Sequence, residues 1–266
     1  MTRKKPTIAD LRALKGVAQL TMLRVMTLDE AAAAEAAGID IVSVPPDLVT
    51  HPHYRDVAPS LFSMTGKTHL EAGTRDDFHR FACTMMQAGA DAIYCSGGLG
   101  TVEALADEHI PVVGHVGLVP SRATWTGGFR AVAKTADMAM ALLAEVKAYE
   151  AAGAFALEIE VVPDAVATEI SKRTGLLLWS MGAGAGCDAQ YLFAEDILGL
   201  NRAHMPRHSK VYRDFAAEFD RLQSERIAAF REYVADVADG SYPQVGNLVK
   251  MAGPELARFQ KLLAES

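Results

Sequence analysis

The chain has 266 residues, half of them hydrophobic, and a formal net charge of −7 at pH 7. That length suits one α/β barrel with a sizeable core. The acidic balance excludes the basic footprint of a nucleic-acid binder, and Thr2-Arg-Lys-Lys5 is only a short solvated cluster. The most apolar runs, Ile39–Val44 and Leu176–Ser180, fall far short of the ~20 residues that span a bilayer, so no membrane partner is expected. Three cysteines (Cys83, Cys95 and Cys187) are an odd number without metal-type spacing, and Met1–Pro6 leads into an amphipathic stretch rather than an apolar signal. Reduced thiols in a cytoplasmic protein are the expectation.

Short β-rich runs alternate with helical patterns. Strands are predicted at Val17–Leu23, Ile39–Val44, Lys67–Leu70, Ala92–Ser96, Val112–Val116, Ala154–Val162 and Leu176–Met181, with a weak eighth near Ile197–Leu200. Thr27-Leu-Asp-Glu30 reads as a capping box before Ala31–Ala37, and Gly38 stops that helix. Thr74 precedes acids suited to a first helical turn, and Pro163 suits a helix start. Three helix-to-strand joins share one formula: Glu35-Ala-Ala-Gly-Ile-Asp40, Gln87-Ala-Gly-Ala-Asp91 and Ala151-Ala-Gly-Ala154. Each glycine suits a left-handed helix stop before a buried strand.

Such repetition predicts a (β/α)8 TIM barrel, with an open doubly wound sheet as the competing arrangement. The expected organisation is a single barrel domain over 1–266: the barrel occupies about 15–208, and a C-terminal helical extension fills 209–266. That extension, with helical patterns at Tyr212–Val237 and Pro254–Leu263, is expected to serve packing or subunit assembly.

In a barrel of this kind chemistry sits at the C-terminal strand ends. Asp47, His69, Glu71, Tyr94, Ser96, His115, Glu158, Glu160 and the loop Gly182–Gly186 stand at those places. Glu158 and Glu160 lie two apart, so a regular strand points both carboxylates one way. A carboxylate in an apolar strand costs several kcal/mol unless paired or hydrated. Burial would raise its pKa towards that of a general base, whereas a salt bridge at the strand end is the structural alternative. His115, flanked by glycines, is a candidate donor to a substrate oxygen or a loop cap. Gly182-Ala-Gly-Ala-Gly186 reads either as an anion cradle or as a tight barrel turn. His51-Pro-His53 offers two imidazoles with no third ligand nearby, and Cys95 reads as a small buried hydrophobe.

Together these motifs resemble the ketopantoate hydroxymethyltransferase family, within the phosphoenolpyruvate mutase and isocitrate lyase superfamily. Gly114-His-Val-Gly-Leu-Val-Pro-Ser121 is similar to the family's GHxGLxPQ, and Gly127-Gly-Phe-Arg130 with Lys134 to its GG(Y/F)(K/R)VQG(R/K) loop. Ala152–Pro163 resembles the strand that carries the general base, which falls on Glu160. Met181–Gln190 is similar to GIGAGxxxDGQ, and Gly240-Ser-Tyr-Pro243 to the closing G-x-(F/Y)-P.

The resemblance implies aldol-type C–C bond formation or cleavage next to the carbonyl of a small 2-oxo acid, 3-methyl-2-oxobutanoate. Mg²⁺ would stabilise the enolate, and methylenetetrahydrofolate would be the one-carbon co-substrate. Glu160 and His115 are then catalytic, while Asp47, Tyr94 and Ser96 line the substrate. A homo-oligomer, a decamer in the family, is also implied. The chain departs from the family at the metal shell. The first metal aspartate falls on Pro46 or Asp47, the next on His69, and the metal glutamate and substrate lysine on Ser96 and Tyr94. Ser121 stands for the motif's Gln and Asn247 for a histidine. A divergent member is therefore expected, with His69 as a metal ligand beside Asp47 and Glu71 if a metal is kept; imidazole with carboxylate favours a transition metal over Mg²⁺. A lyase or hydrolase acting on another oxo acid, and a non-catalytic barrel, are the other readings.

Overall fold

The computed structural model describes residues 3–202 and 205–266. Eight parallel strands close in chain order: β1 (Leu20–Arg24), β2 (Ile41–Ser43), β3 (Phe62–Lys67), β4 (Ala92–Cys95), β5 (Val112–Gly117), β6 (Ala156–Glu160), β7 (Leu177–Met181) and β8 (Ala189–Phe193). The ring shuts where Leu20–Arg24 pairs with Ala189–Phe193. This is the (β/α)8 barrel that the alternation predicts. Gly38, Gly89 and Gly153 all take positive φ at the three repeated joins, as the left-handed stops require.

Two strand expectations are corrected. The third strand is Phe62–Lys67, not Lys67–Leu70; His69 and Leu70 belong to the short helix His69–Ala72, which Thr68 caps. Ser63 and Thr65 interrupt the apolar run that would have announced β3, yet both are buried. The eighth strand is Ala189–Phe193, starting just past the glycine loop; Ile197 instead ends the helix Ala194–Ile197.

Alternation along the strands builds two apolar layers. Met22, Ile41, Phe62, Met64, Phe155 and Trp179 fill the barrel, with Leu11 of the helix Ile8–Ala13 plugging its N-terminal end. Val42, Ile93, Val112, Leu157, Ile159 and Leu178 face the surrounding helices. Inside, Trp179 meets Phe155 edge-on at 5.9 Å, and Phe155 meets Phe62 at 6.1 Å. These rings make a solid floor.

Aspartates tie the N-terminal end. Asp40 accepts from Thr21 N at 2.9 Å, Asp91 from Ser63 N at 2.8 Å and Asp188 from Leu178 N at 2.7 Å. Each sits just before one strand and satisfies the first free N–H of a neighbouring strand or the one beside it. Asp91 is also held by Arg55 and Lys5, and Asp188 by Lys15 at 2.8 Å.

By contact the chain divides into Met1–Arg213 and Asp214–Ser266. The second unit has the helices Phe215–Asp239 and Gly253–Ala264. Asp214 caps the first of them, which ends at Gly240 in the left-handed region, and the Tyr233 and Tyr242 rings lie 5.5 Å apart. Among the described residues no helix is long and apolar enough to cross a membrane.

Candidate active site

Above the aromatic floor the barrel turns polar. On β6, Leu157 and Ile159 go to the outer core, which turns Glu158 and Glu160 inward together. The register sets His115 of β5 beside Glu158, and Gly117 beside Glu160. His115, Glu158 and Glu160 are 3%, 5% and 8% exposed, so their charges act in a medium far less screening than water.

His115 joins the cluster. Its Nδ1 lies 2.9 Å from Tyr94 Oη and 3.6 Å from Glu158 Oε2, and its Nε2 lies 3.1 Å from Glu160 Oε2. Burial, followed by the negative charge of Glu158, pushes the Tyr94 phenol far above its usual range. The phenol therefore keeps its proton and can donate it to Nδ1. In that arrangement the ring's own proton sits on Nε2. Nε2 approaches the Glu160 oxygen too obliquely for a hydrogen bond and has no hydrogen-bond partner among the described residues. An unspent donor beside an inward carboxylate is the centre of the site.

Glu158 is different. Burial, and then the neighbouring Glu160 charge, push its carboxyl up to about 7 against the pull of His115 and Arg24. No lysine or arginine forms an ion pair with either glutamate among the described residues. Tyr191 of β8 is also buried, and burial followed by the Glu158 charge raises its phenol strongly. Sequence reasoning missed Tyr191 because β8 was placed too late. It also missed Arg24, which ends β1 and lies over the Phe193 ring at 5.4 Å. A charged residue closing an apolar strand was the available signal for Arg24.

The other expected residues have partners of their own, although Ser96 stays beside Tyr94. Ser96 is buried, its Oγ accepts from His69 N at 3.0 Å, and its carbonyl accepts from Arg122 at 3.1 Å. His69 opens a helix rather than ending a strand, with Nδ1 3.5 Å from Ser96 Oγ. Glu71 is spent closing the Thr68 cap, accepting from Thr68 N at 2.7 Å, and those bonds hold its carboxyl below the usual range. Asp47 lies exposed in the short helix Pro46–Val49. Among the described residues, no three His, Cys, Asp or Glu side chains gather to hold a metal. The donor set Asp47, His69 and Glu71 does not fit a metal site.

The turn reading of the glycine loop accounts for its contacts. A Cβ at Gly184 would come within 2.5 Å of Asp164 Cβ, and Gly186 packs on Thr168. Cys95 is fully buried, and burial raises its thiol to about 11. His51 and His53 are exposed, with His53 paired to Asp56 at 2.9 Å. Gly66 pairs with Tyr94 so closely that a Cβ there would lie 2.5 Å from Tyr94 Cβ. Beyond Glu160, Val161 holds φ +50°, with its N–H donating to Met181 O and its carbonyl accepting from Val132 N. A cavity of about 320 Å³ opens there, lined by Val161, Pro163, Asp164, Gly182, Arg207 and His208.

A closed parallel barrel with an imidazole and an inward carboxylate at its C-terminal strand ends has the architecture of an enzyme. The profile of the family described as ketopantoate hydroxymethyltransferase matches residues 69–245. The chain belongs to that family. A 3-methyl-2-oxobutanoate hydroxymethyltransferase of Halalkalibacterium halodurans is 40% identical over 162 residues, 60% of this chain and 56% of that protein. The 3-methyl-2-oxobutanoate hydroxymethyltransferase 1 of Methylibium petroleiphilum is 31% identical across 98% of this chain and 95% of its own. Among solved structures, 2,3-dimethylmalate lyase, a PEP mutase/isocitrate lyase superfamily member, superposes with a TM-score of 0.50 at 15% identity. The superposition covers 98% of this chain and 96% of that one, a likeness of fold.

Proposed function

We propose that this chain catalyses aldol-type C–C bond formation at the carbon next to the carbonyl of a small 2-oxo acid, 3-methyl-2-oxobutanoate, with Glu160 as base. The observation that carries the reading is the unspent His115 Nε2–H within 3.1 Å of the Glu160 carboxylate. Glu160 takes the proton from the carbon next to the carbonyl. The carbonyl oxygen becomes an enolate oxygen and accepts from His115 Nε2, whose direction Tyr94 sets from the other side of the ring. The enolate carbon then bonds the methylene carbon of methylenetetrahydrofolate; the bonds from that carbon to the folate nitrogens break, and one water supplies its hydroxyl and a proton to nitrogen, releasing the hydroxymethyl product and tetrahydrofolate. Ser96 and Tyr94 line the substrate in this reading, and the cavity past Val161 gives the second reactant its way in.

The family's metal has no fitting ligand set among the described residues, so no step is assigned to it. This is a divergent metal shell on a retained scaffold. The same reading makes 1–266 one functional chain, with the barrel at about 15–208 and a helical extension at 209–266. It works in the cytoplasm as a homo-oligomer, which light scattering of the purified protein checks.

Incubation with 3-methyl-2-oxobutanoate in D₂O tests the chemistry. Deuterium should enter at the carbon next to the carbonyl with the wild type and not with Glu160→Gln. Absence of exchange, with or without added divalent metal, overturns this substrate.

A further inference from the structure

Glu158 has no task in that reaction, yet its position is demanding. It lies on the same inward face as Glu160, two residues away, in the buried upper layer of the barrel. The groups that face it can be named element by element. β4 presents Tyr94, β5 presents His115, β8 presents Tyr191, β1 presents Arg24 and β6 presents Glu160. The paired residue on β7 is Trp179, which carries no charge.

One imidazole therefore stands between two carboxylates, and it is the nearer to Glu160: 3.1 Å from that oxygen against 3.6 Å from the Glu158 oxygen. A bound 2-oxo acid would bring a third negative charge into the same buried layer. Three anions around one imidazole are costly where water is scarce, and like-charged carboxylates resolve such crowding by keeping a proton on one of them. Geometry selects which. Glu160 has the closer imidazole nitrogen, Nε2, and the reacting carbon to serve. Glu158 is deeper, lies farther from the imidazole, and faces two phenols.

We propose that Glu158 is the proton-holding residue of the site: an anionic 2-oxo acid binds with Glu158 neutral, and binding above neutral pH takes one proton from solvent onto that carboxylate. The inference rests on the reading of the site as an oxo-acid site. It adds a pH-dependent gate on substrate affinity, carried by a positioning residue rather than by the base. The carboxyl raised to about 7 places the gate near neutrality. Above it, the KM for the acid should rise by up to about tenfold per pH unit, because each unit removes a further tenfold of the binding-competent form.

Two measurements on the intact protein test it. Infrared difference spectra of the free protein across pH 5.5–9 should show a protonated-carboxyl carbonyl band that bleaches around neutrality in the wild type. That band should be missing from Glu158→Gln. Calorimetry with 3-methyl-2-oxobutanoate at about pH 8, in two buffers of different ionisation enthalpy, should show uptake of close to one proton per site. Glu158→Gln should take up none, and its KM should be flat with pH. Lack of the band in the wild type overturns the proposal whether or not the acid binds. Undiminished uptake in Glu158→Gln overturns it by placing the proton elsewhere. Failure of the acid to bind at any pH, with the band intact, overturns the oxo-acid reading and the anion gate built upon it.

Discussion

The two ends of the barrel treat their carboxylates in opposite ways. At the N-terminal end Asp40, Asp91 and Asp188 each accept a strand N–H, and the last two also hold a lysine or arginine. At the C-terminal end Glu158 and Glu160 have neither among the described residues, and His115 Nε2 beside Glu160 is unspent there. Both ends set acids at or beside strand ends of the same barrel. One end spends its acids on strand N–H groups to close the ring, whereas the other leaves capacity open where a ligand can use it. Stability and chemistry are thus assigned to opposite rims.

Substitutions can break this division. Glu160→Gln should bring the largest effect, a loss of roughly 10²–10⁴ in kcat, since a positioned general base is worth about that much; melting temperature should be unchanged or higher. Steady-state kinetics beside a thermal melt decides. Asp188→Ala should do the reverse. It removes the carboxylate partner of Lys15, which keeps the Leu176 carbonyl, and leaves the Leu178 N–H without its acceptor; it should cost about 3 kcal/mol in denaturant unfolding, leaving turnover per folded molecule intact.

Glu158→Gln sharpens the comparison through pH. Folding raises this carboxyl from 4.5 to about 7, so the folded state keeps a proton that the unfolded chain releases in that interval. Wild-type stability therefore falls as pH rises through the window, by up to about 3 kcal/mol. Glu158→Gln escapes that loss. Its melting temperature should exceed the wild type's at about pH 8.5 and converge with it towards pH 4.5. Tyr94→Phe should be the mildest: it removes the donor to His115 Nδ1 and should lower kcat about tenfold with little change in KM.

Much of this was legible before the fold was seen. The outer layer of β6 is written as Leu157 and Ile159, and the two acids between and after them declare their shared inward face. The glycine joins announce the βα repeat because only a left-handed stop lets each helix turn directly into its strand. β3 was misplaced because Ser63 and Thr65, although buried, read as loop residues; Tyr54 Oη, 2.6 Å from Ser63 Oγ, supplies a partner that no local pattern reveals. That error carried His69 to a strand end, where the family resemblance set a metal ligand; the chain forms a capped helical turn there instead. The Tyr94–His115 contact joins residues 21 apart in sequence, and its geometry emerges only from barrel closure.

Val161 gives the base a consequence of a different kind. A β-branched residue at φ +50° is strained by about 1–3 kcal/mol, and it is fastened on both sides by backbone hydrogen bonds to Met181 and Val132. Selection for heat resistance has an opening here, since glycine or asparagine accepts this backbone without strain. The relief would be taken from the peptide that follows Glu160, loosening the carboxylate's aim. Longevity at high temperature and speed of turnover would then trade against each other through the backbone of a single residue.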